Sequence, residues 1–510
     1  MGYLLGIDIG TSGTKTALFN EKGALIASET AGYPLYQPEN GWAEQKPEDW
    51  WIAVVTTITA VLQKSGINGE DISGIGLSGQ MHGLVMLDAN NNVLRPAIIW
   101  CDQRTAKECD ELEEIVGKEK IISITSNPPL TGFTASKILW VRNKEPQIYD
   151  KCMHILLPKD YIRFMLTGEY ATEVSDAGGM QLLDVPNRHW SDEILSKLKI
   201  DKSLLARVYE SPDETGRISL SAARITGLKA GTPVAGGAGD NAAAAVGMGV
   251  VRDGRGFVTI GTSGVVYAHT SFLSRDPKGR IHTLCSAVPG EWHIMGVTQA
   301  AGLSLKWFKD NLCDKEICYA EKTGENVYAL LDRKASEVPV GSNGLFFLPY
   351  LMGERSPHLD PHARGGFIGL SASHTKADML RAVMEGVTFS LKDCLDIFEA
   401  AGVRVENMLA CGGGGSSAFW RQMLADVFGC KIQSAISSEG AALGAAILGG
   451  VCSGIYGSVQ SACDDICAAS GNCTPDPENQ IKYSHFYKLY ASLYPKLKNF
   501  YSECSKENLY

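Results

Sequence analysis

The chain has 510 residues, of which 45% are hydrophobic and 20% are charged, and its formal net charge is −10. This length predicts two large domains rather than one hydrophobic core, and the lack of a run of about 18 apolar residues predicts no membrane span. The acidic charge argues against a nucleic-acid partner, which normally requires a basic surface.

The N-terminus is expected to be a first β-strand. Residues 1–8 have no basic segment ahead of the apolar stretch, which ends at Asp8, so a signal peptide is not predicted. The 14 cysteines are scattered, and we expect reduced thiols in a cytoplasmic protein. Only Cys463, Cys467 and Cys473 are close together, and without a neighbouring histidine they favour thiols over a metal site.

A five-residue string occurs twice in the chain. Residues 9–13, Ile-Gly-Thr-Ser-Gly, recur at 260–264, each time between two β-prone segments. Each copy predicts a β-hairpin, and the pair predicts two similarly built domains that face each other, residues 1–250 and 255–510. Coincidence is the alternative in a chain rich in glycine, serine and threonine, although the matching context argues against it.

Helix and strand signals alternate in both halves, which is typical of α/β domains. Residues 71–88 predict a strand, a turn and a second strand. The predicted helices cover 47–64, 104–117, 134–144, 158–167, 376–400, 417–429 and 440–451. Residues 480–505 predict a core-facing terminal helix, because its tyrosines recur at steps of three and four, with a bend near Pro495. Stacking of nucleic-acid bases on these tyrosines is the alternative.

The turn of the first hairpin is suited to phosphate. Small residues let backbone N–H groups converge on an anion, so Thr11, Ser12 and Lys15 are candidate ATP contacts. The string is not a P-loop, because a strand rather than a helix follows it. Asp8 precedes the turn, where a carboxylate can hold Mg²⁺ beside phosphates. The alternative is that Asp8 only caps the turn.

Two glycine-rich strings imitate dinucleotide-binding motifs, at 74–79 and 237–242. The first runs into a predicted strand, and the second places Asp240 where a pyrophosphate would sit, so neither fits. Asp240 instead begins a helix of small residues, whose positive end favours the carboxylate form. Such a carboxylate can take a proton from an attacking hydroxyl. When Asp240 is considered alone, helix capping explains its position equally well.

Glycines 412–415 directly precede a predicted helix. They leave room for a flat base or ribose against the backbone, and the helix N-terminus can face phosphate. Gly413, Gly414 and Ser417 are therefore candidate ATP contacts. A flexible linker is excluded by the apolar helical segments on both sides.

The chain resembles the FGGY family of carbohydrate kinases along nearly its whole length. The second family signature is matched at Gly365, Phe367, Gly369, Leu370, Asp378, Met379, Ala382, Val383, Met384 and Glu385. The first is matched approximately at 132–140, with Lys144 as a departure. Within the family, residues 78–83, 99–104 and 412–428 are most similar to the branch that phosphorylates D-xylulose, with departures at Cys101, Gln103 and Gly415.

The resemblance implies an α/β fold of two actin/hexokinase-like (ribonuclease H-like) domains with an ATP and sugar cleft between them. It implies ATP-dependent phosphorylation of D-xylulose to D-xylulose 5-phosphate, with Asp240 as general base and Mg²⁺ held by Asp8 and Asp240. The implied sugar contacts are Gln80, Met81, His82, Asp102, Asp240 and Asn241. The implied ATP contacts in the second half are Gly261, Thr262, Gly413, Gly414 and Ser417.

Several alternatives stay open. The first keeps the fold and changes the substrate to ribulose, fuculose, gluconate or glycerol. The second is an actin-like ATPase without a sugar substrate. A sugar-sensing repressor is disfavoured because no basic segment precedes residues 1–3. A homodimer is an expectation from the family resemblance alone.

Overall fold

The computed structural model describes residues 2–435 and 439–507. Outside the described residues lie residue 1, residues 436–438 and residues 508–510. The start of the first predicted domain and the end of the second therefore lie outside the described residues. The strands of the first half are β1 (Tyr3–Ile9), β2 (Gly13–Asn20), β3 (Leu25–Gly32), β4 (Glu44–Gln45), β5 (Ile72–Gly79), β6 (Val85–Leu87), β7 (Ala97–Ile98), β8 (His154–Leu156), β9 (Ala171–Glu173), β10 (Leu183–Asp184), β11 (His189–Trp190), β12 (Arg207–Tyr209), β13 (Glu214–Arg217), β14 (Pro233–Ala235) and β15 (Ala238–Gly239). Those of the second half are β16 (Gly254–Ile260), β17 (Gly264–Thr270), β18 (His282–Cys285), β19 (Trp292–Thr298), β20 (Phe346–Leu348), β21 (Gly366–Ile368), β22 (Val405–Cys411), β23 (Lys431–Ala435) and β24 (Ala469–Cys473).

Helices separate these strands. In the first half they are α1 (Pro47–Ser65), α2 (Ala106–Val116), α3 (Lys118–Thr125), α4 (Thr134–Lys144), α5 (Pro146–Tyr149), α6 (Pro158–Thr167), α7 (Val174–Ala177), α8 (Asp192–Leu198), α9 (Leu220–Thr226) and α10 (Asp240–Gly247). In the second half they are α11 (Gly302–Leu312), α12 (Asp314–Thr323), α13 (Val327–Ser336), α14 (Lys376–Ala400), α15 (Gly412–Gly415), α16 (Ala418–Phe428), α17 (Gly440–Cys452), α18 (Val459–Ile466), α19 (Pro477–Ala491) and α20 (Leu493–Lys506).

The two main sheets repeat one topology. The first has the order β13-β14-β5-β1-β2-β3, and the second has the order β18-β19-β17-β16-β22-β23-β24. In each, three antiparallel strands include a repeated hairpin, β3-β2-β1 in one sheet and β19-β17-β16 in the other. Two further strands continue parallel to the last of these, β5-β14 and β22-β23. The predicted hairpins and the interpretation of the repeat as two similarly built domains are therefore confirmed.

Each repeated hairpin closes with a backbone hydrogen bond across its turn, but the first turn is one residue longer, since Ile9 pairs with Thr14 whereas Ile260 pairs with Gly264. The N–H of Gly10 donates to the carbonyl of Gly13 at 3.1 Å, and the N–H of Gly261 donates to the carbonyl of Ser263 at 3.1 Å. Both turns lie at the carboxyl ends of strands that have a parallel neighbour, the edge where α/β sheets bind ligands. The two turns are thereby positioned for a shared cleft.

Helix α17 packs on the first sheet although it lies beyond residue 255. It contacts β1 and β5 as well as α10, and its side chains share a buried cluster with Leu4 and Phe19. Glycine permits this close approach: a Cβ on Gly76 would stand 1.7 Å from the carbonyl oxygen of Ala445. Gly74 and Gly76 thus serve the packing of α17 on the sheet. The division of the chain near residues 250–255 stays a prediction.

Most predicted elements match the structure within about two residues. Helices α1, α2, α4, α6, α14, α16 and α17 lie where the sequence predicts them, and residues 71–88 form β5, a turn and β6. The turn does not make a hairpin, because β6 pairs with β8 rather than with β5.

The predicted terminal helix differs in one respect. It is two helices, α19 and α20, which part at Ser492 rather than bending near Pro495. Proline is tolerated in the first turn of a helix, so the chain begins a new helix just before Pro495. The tyrosine stripe is core-facing as predicted: Tyr483 and Tyr490 are buried, as are Tyr494 and Tyr501.

No helix in the described residues has both the length and the apolar character that a membrane crossing requires. All the cysteines are free thiols in the structure. Cys463, Cys467 and Cys473 form no metal-binding cluster, because the described part of the chain contains no group of three or more potential ligand side chains.

Candidate active site

A cavity of about 180 Å³ lies between the two domains. Four predicted sugar contacts, Met81, His82, Asp240 and Asn241, come together in its wall. The first domain also contributes Trp100, Leu130, Gly132 and Phe133, and the second contributes Ser263, Val265, His282, Leu284, Met295, Val297 and Arg355. The mixture of apolar walls and a few polar groups is typical of a small-molecule site.

Asp240 is the first residue of α10, and the sheet brings it close to Asp8. Strand β5 pairs Ser78 with Asp8 on one side and with Ala238 on the other. The hydroxyl of Ser78 donates to Oδ1 of Asp8 at 2.8 Å. Asp8 therefore faces a neighbouring strand, and none of its hydrogen bonds in the described structure caps the hairpin turn.

Only one oxygen of the Asp240 carboxylate accepts hydrogen bonds from the described residues. Its Oδ1 accepts the N–H of Asn241 at 2.7 Å and the side-chain amide of Asn241 at 2.9 Å, whereas Oδ2 has no partner among the described residues. Burial, reinforced by the negative charge of Asp8, raises the pKa of Asp240 to about 7. The free oxygen is thus a proton acceptor of useful strength near neutral pH.

A buried charged cluster lies behind this residue. The hydroxyl of Ser175 accepts the N–H of Gly239 at 3.1 Å and donates to Glu173 at 2.9 Å. Lys159 lies 3.2 Å from Glu173 and 3.1 Å from Asp176, all with side chains at 0% exposure. The cluster is only partly satisfied, because both carboxyl oxygens of Asp176 are buried without a hydrogen-bond partner and burial raises the pKa of Asp176 to about 8. It reaches the residue that precedes Asp240 through the hydrogen bond from Gly239 to Ser175.

His82 forms a wall of the cavity in an uncommon backbone conformation, with φ of 68°. Its Nδ1 lies 2.9 Å from the carbonyl oxygen of Gly179, which can only accept, so Nδ1 carries the proton and Nε2 is left as an acceptor. Burial and the nearby Lys137 lower the pKa of His82 to about 3. A neutral imidazole stacked on Phe133 at 4.4 Å can therefore accept a hydrogen bond from a sugar hydroxyl.

Two predicted sugar contacts do not line this cavity. Gln80 is buried behind it, and its amide donates to Gln45 at 2.8 Å. Asp102 is fully buried and paired with Arg104 at 2.7 Å, while its carboxylate also accepts the N–H of Ala43. Both residues support the surrounding loops, and direct sugar contact by either stays a prediction.

The first hairpin turn adjoins the cavity without lining it. The indole N–H of Trp100, a cavity residue, donates to the hydroxyl of Thr11 at 2.9 Å. Ser12 is exposed, and Lys15 is paired with Glu439 at 2.5 Å. Phosphate contacts by these turn residues stay a prediction.

A larger cavity, of about 540 Å³, lies in the second domain. The predicted ATP contacts Gly261, Thr262, Gly413, Gly414 and Ser417 all line it. The remaining lining includes residues that the sequence analysis missed, Lys306, Asn326, Tyr328, Asp332 and Trp420. Gly413 has no atom within 4 Å of a built Cβ, so its surface is open to a flat ligand, and the cavity fits an adenosine group in size and lining.

The residues present also fit a magnesium ion. Two neighbouring carboxylates, Asp8 and Asp240, each have a raised pKa, first because of burial, and a cation beside them would relieve that cost. Mg²⁺ in phosphoryl-transfer enzymes takes one or two carboxylates and completes its shell with water and phosphate. A dedicated protein cage is not needed.

Comparison with known proteins shows similarity along nearly the whole chain. Residues 3–247 match the N-terminal domain, and residues 256–453 the C-terminal domain, of the FGGY family of carbohydrate kinases. The xylulose kinase of Bacillus subtilis is 38% identical over 499 residues, 98% of each chain. That of Escherichia coli K12 is 40% identical over 446 residues, 87% of this chain and 89% of the other.

A solved structure extends the similarity to the fold. The ligand-bound xylulose kinase of Lactobacillus acidophilus has a TM-score of 0.91 at 28% identity, covering 99% of this chain and 100% of that one. Both domains of the present chain have the actin/hexokinase-like α/β fold that such sugar kinases share. The protein is a member of the FGGY family of carbohydrate kinases.

Proposed function

We propose that the protein transfers the γ-phosphoryl group of ATP to D-xylulose, forming D-xylulose 5-phosphate and ADP. The observation that carries this proposal is Asp240, whose free Oδ2 lies at a sugar-sized cavity and whose pKa is raised to about 7, mainly by burial. The relatives named above as xylulose kinases, which match nearly the whole chain, support the choice of sugar.

In this proposal the sugar binds in the smaller cavity with its terminal hydroxyl at Asp240. Asn241 holds Oδ1 of the carboxylate, so Oδ2 accepts the hydroxyl proton as the oxygen attacks phosphorus. His82 accepts a hydrogen bond from another hydroxyl, and Met81 and Phe133 exclude water. Positioning and charge neutralisation supply most of the acceleration, because phosphoryl transfer needs little covalent help from the protein.

The nucleotide would bind in the larger cavity, with adenosine against Gly413 and Gly414 and the phosphates near Thr262. Asp8 and Asp240 would hold Mg²⁺. When bound, MgATP supplies the phosphoryl group, and its Mg²⁺ would neutralise the negative charge of the phosphates. The Ser12 turn of the first hairpin and Lys15 complete the proposed phosphate contacts.

A sugar panel tests the proposal. The enzyme is incubated with MgATP and either D-xylulose, D-ribulose, L-fuculose, gluconate or glycerol, and ADP release is followed by a coupled assay. We expect kcat/KM for D-xylulose to exceed that for every other compound by about tenfold or more. Equal rates across the panel, or ADP release that needs no sugar, would contradict the proposal.

A further inference from the structure

The sugar cavity has an acidic end and a basic end. Asp8 is the charge that acts on Asp240. Burial lowers the pKa of His82 and of His282 to about 3, and the positive charge of Arg355 adds to this effect at both. Arg355 lines the cavity together with the two histidines, and its charge is not among those that shift the pKa of the proposed base. It belongs to the second domain, and the sequence analysis did not identify it.

The guanidinium of Arg355 has unused hydrogen-bond donors. None of the side-chain hydrogen bonds or ion pairs of the described residues involves it, and burial lowers its pKa. Its neighbour Glu354 faces elsewhere: one carboxyl oxygen accepts the N–H groups of Gln299 and Arg355, each at 2.8 Å. Burial raises the pKa of Glu354 to about 8. The charge of Glu354 partly offsets the effect of burial on Arg355, but no ion pair of the described residues joins the two side chains.

The histidines beside Arg355 are acceptors rather than donors toward a ligand. His82 donates Nδ1–H to Gly179, as described above. Nδ1 of His282 lies 3.0 Å from Oδ1 of Asn127, whose amide nitrogen donates to the carbonyls of Thr125 and Thr283. That arrangement fixes the Asn127 oxygen as an acceptor, so His282 also keeps its proton on Nδ1 and leaves Nε2 as an acceptor.

A ketose differs from a polyol in having a carbonyl group. The carbonyl oxygen can only accept a hydrogen bond, so the two imidazole acceptors cannot satisfy that oxygen. At this end of the cavity Arg355 is the charged donor that can reach a ligand oxygen. A guanidinium also suits two adjacent oxygens, such as O1 and O2 of a ketose, because its N–H groups form a planar fork.

We propose that Arg355 is a specificity-determining residue that donates hydrogen bonds to the carbonyl end of the ketose, while Asp240 acts on the hydroxyl at the opposite end. This inference rests on the proposed function and deepens it. The sugar then bridges the two domains, since its carbonyl end contacts the second domain and its reacting end contacts the first. Sugar binding thereby favours closure of the cleft.

Three ligands with the same carbon skeleton test the proposal: xylitol, D-xylulose and D-xylonate. Their oxygens near C1 and C2 increase in acceptor strength in that order, from hydroxyl to carbonyl to carboxylate. Dissociation constants are measured for wild type, Arg355→Gln and the control Arg404→Gln, whose side chain is exposed on the second domain. Calorimetry in the presence of a nonhydrolysable ATP analogue and Mg²⁺ gives the values without turnover.

We expect Arg355→Gln to raise the dissociation constant of xylitol by less than about threefold, that of D-xylulose by about tenfold and that of D-xylonate by more than about thirtyfold. Arg404→Gln should leave all three dissociation constants unchanged. A uniform loss for all three ligands would show a merely structural role for Arg355 and would overturn the proposal, as would no loss at all.

The same data separate this inference from the proposed function. If the wild type phosphorylates another ketose in place of D-xylulose, the proposed substrate is wrong, and the graded series is repeated with that ketose and its matching polyol and acid. If the best substrate is a polyol such as glycerol, the Arg355 proposal fails together with the assignment of a ketose.

Discussion

Asp8 and Asp240 reach the same side of the cleft from either flank of strand β5, where Ser78 is in register with both Asp8 and Ala238. The carboxyl ends of neighbouring parallel strands meet at one edge of a sheet, so residues far apart in the sequence converge there. The charge of Asp8 adds to burial in raising the pKa of Asp240. This pairing supports the proposed roles of Asp240 as the base and of both carboxylates as holders of a cation.

Replacing Asp240 with asparagine should lower kcat by about 10²-fold or more, because the amide cannot accept the hydroxyl proton. Steady-state kinetics with D-xylulose and MgATP measure the effect. Asp192→Asn, a change in the first turn of α8 at an exposed residue, is the matched control and should leave kcat unchanged. Near-normal turnover by Asp240→Asn would remove the residue from the role of base.

The pH dependence of kcat/KM should report the ionisation of Asp240. Asp240 must be deprotonated to act, and its pKa is raised to about 7, so kcat/KM should fall as the pH decreases below about 7. Bound Mg²⁺ moves this limb to lower pH, because a cation stabilises the carboxylate. The residual rate of Asp240→Asn should lack the acid limb. An identical limb in the variant would assign it to another group.

Two adjacent glycines of the larger cavity should respond differently to alanine. A Cβ on Gly413 meets nothing within 4 Å, whereas one on Gly414 would stand 2.7 Å from Cβ of Ile260 and 3.2 Å from the Trp420 ring. Gly413→Ala should raise KM for ATP several-fold without changing the melting temperature. Gly414→Ala should reduce the free energy of unfolding by about 1–3 kcal/mol. An unchanged KM for ATP in Gly413→Ala would place the nucleotide elsewhere.

The contact between α17 and the first sheet makes a separate prediction about stability. Gly76→Ala would place a methyl group 1.7 Å from the Ala445 carbonyl oxygen, and overpacking against backbone costs about 1–3 kcal/mol, occasionally more. Thermal unfolding should show a lower melting temperature. Gly457→Ala, where a Cβ meets nothing within 4 Å, is the control and should melt like the wild type.

Local patterns predicted most of the fold. Helices such as α14 carry an apolar stripe and the Thr375–Asp378 capping box, both of which are visible in the sequence. The break at Ser492 was missed because the effect of Pro495 depends on whether the chain starts a new helix before it. The packing of α17 on the first sheet could not be predicted, since glycine runs also indicate ligand loops.

The candidate site was predicted in part. Met81, His82, Asp240 and Asn241 followed from glycine-rich turns and from the family resemblance, and the structure brings them to one cavity. His282 and Arg355 were missed because neither lies in a recognisable turn motif, and only the contact between the domains brings them to this cavity. Asp102, which the family motif predicts as a sugar contact, is buried and paired with Arg104, and its contact with the sugar stays a prediction.

Identification of the product tests the central claim most directly. Purified enzyme is incubated with MgATP and D-xylulose, and the product is analysed by mass spectrometry and phosphorus NMR. The account predicts one phosphoryl group per sugar, attached to the terminal hydroxyl at C5, with Asp240→Asn forming it about 10²-fold more slowly. Release of inorganic phosphate without a phosphorylated sugar, or a phosphate on another carbon, would contradict it.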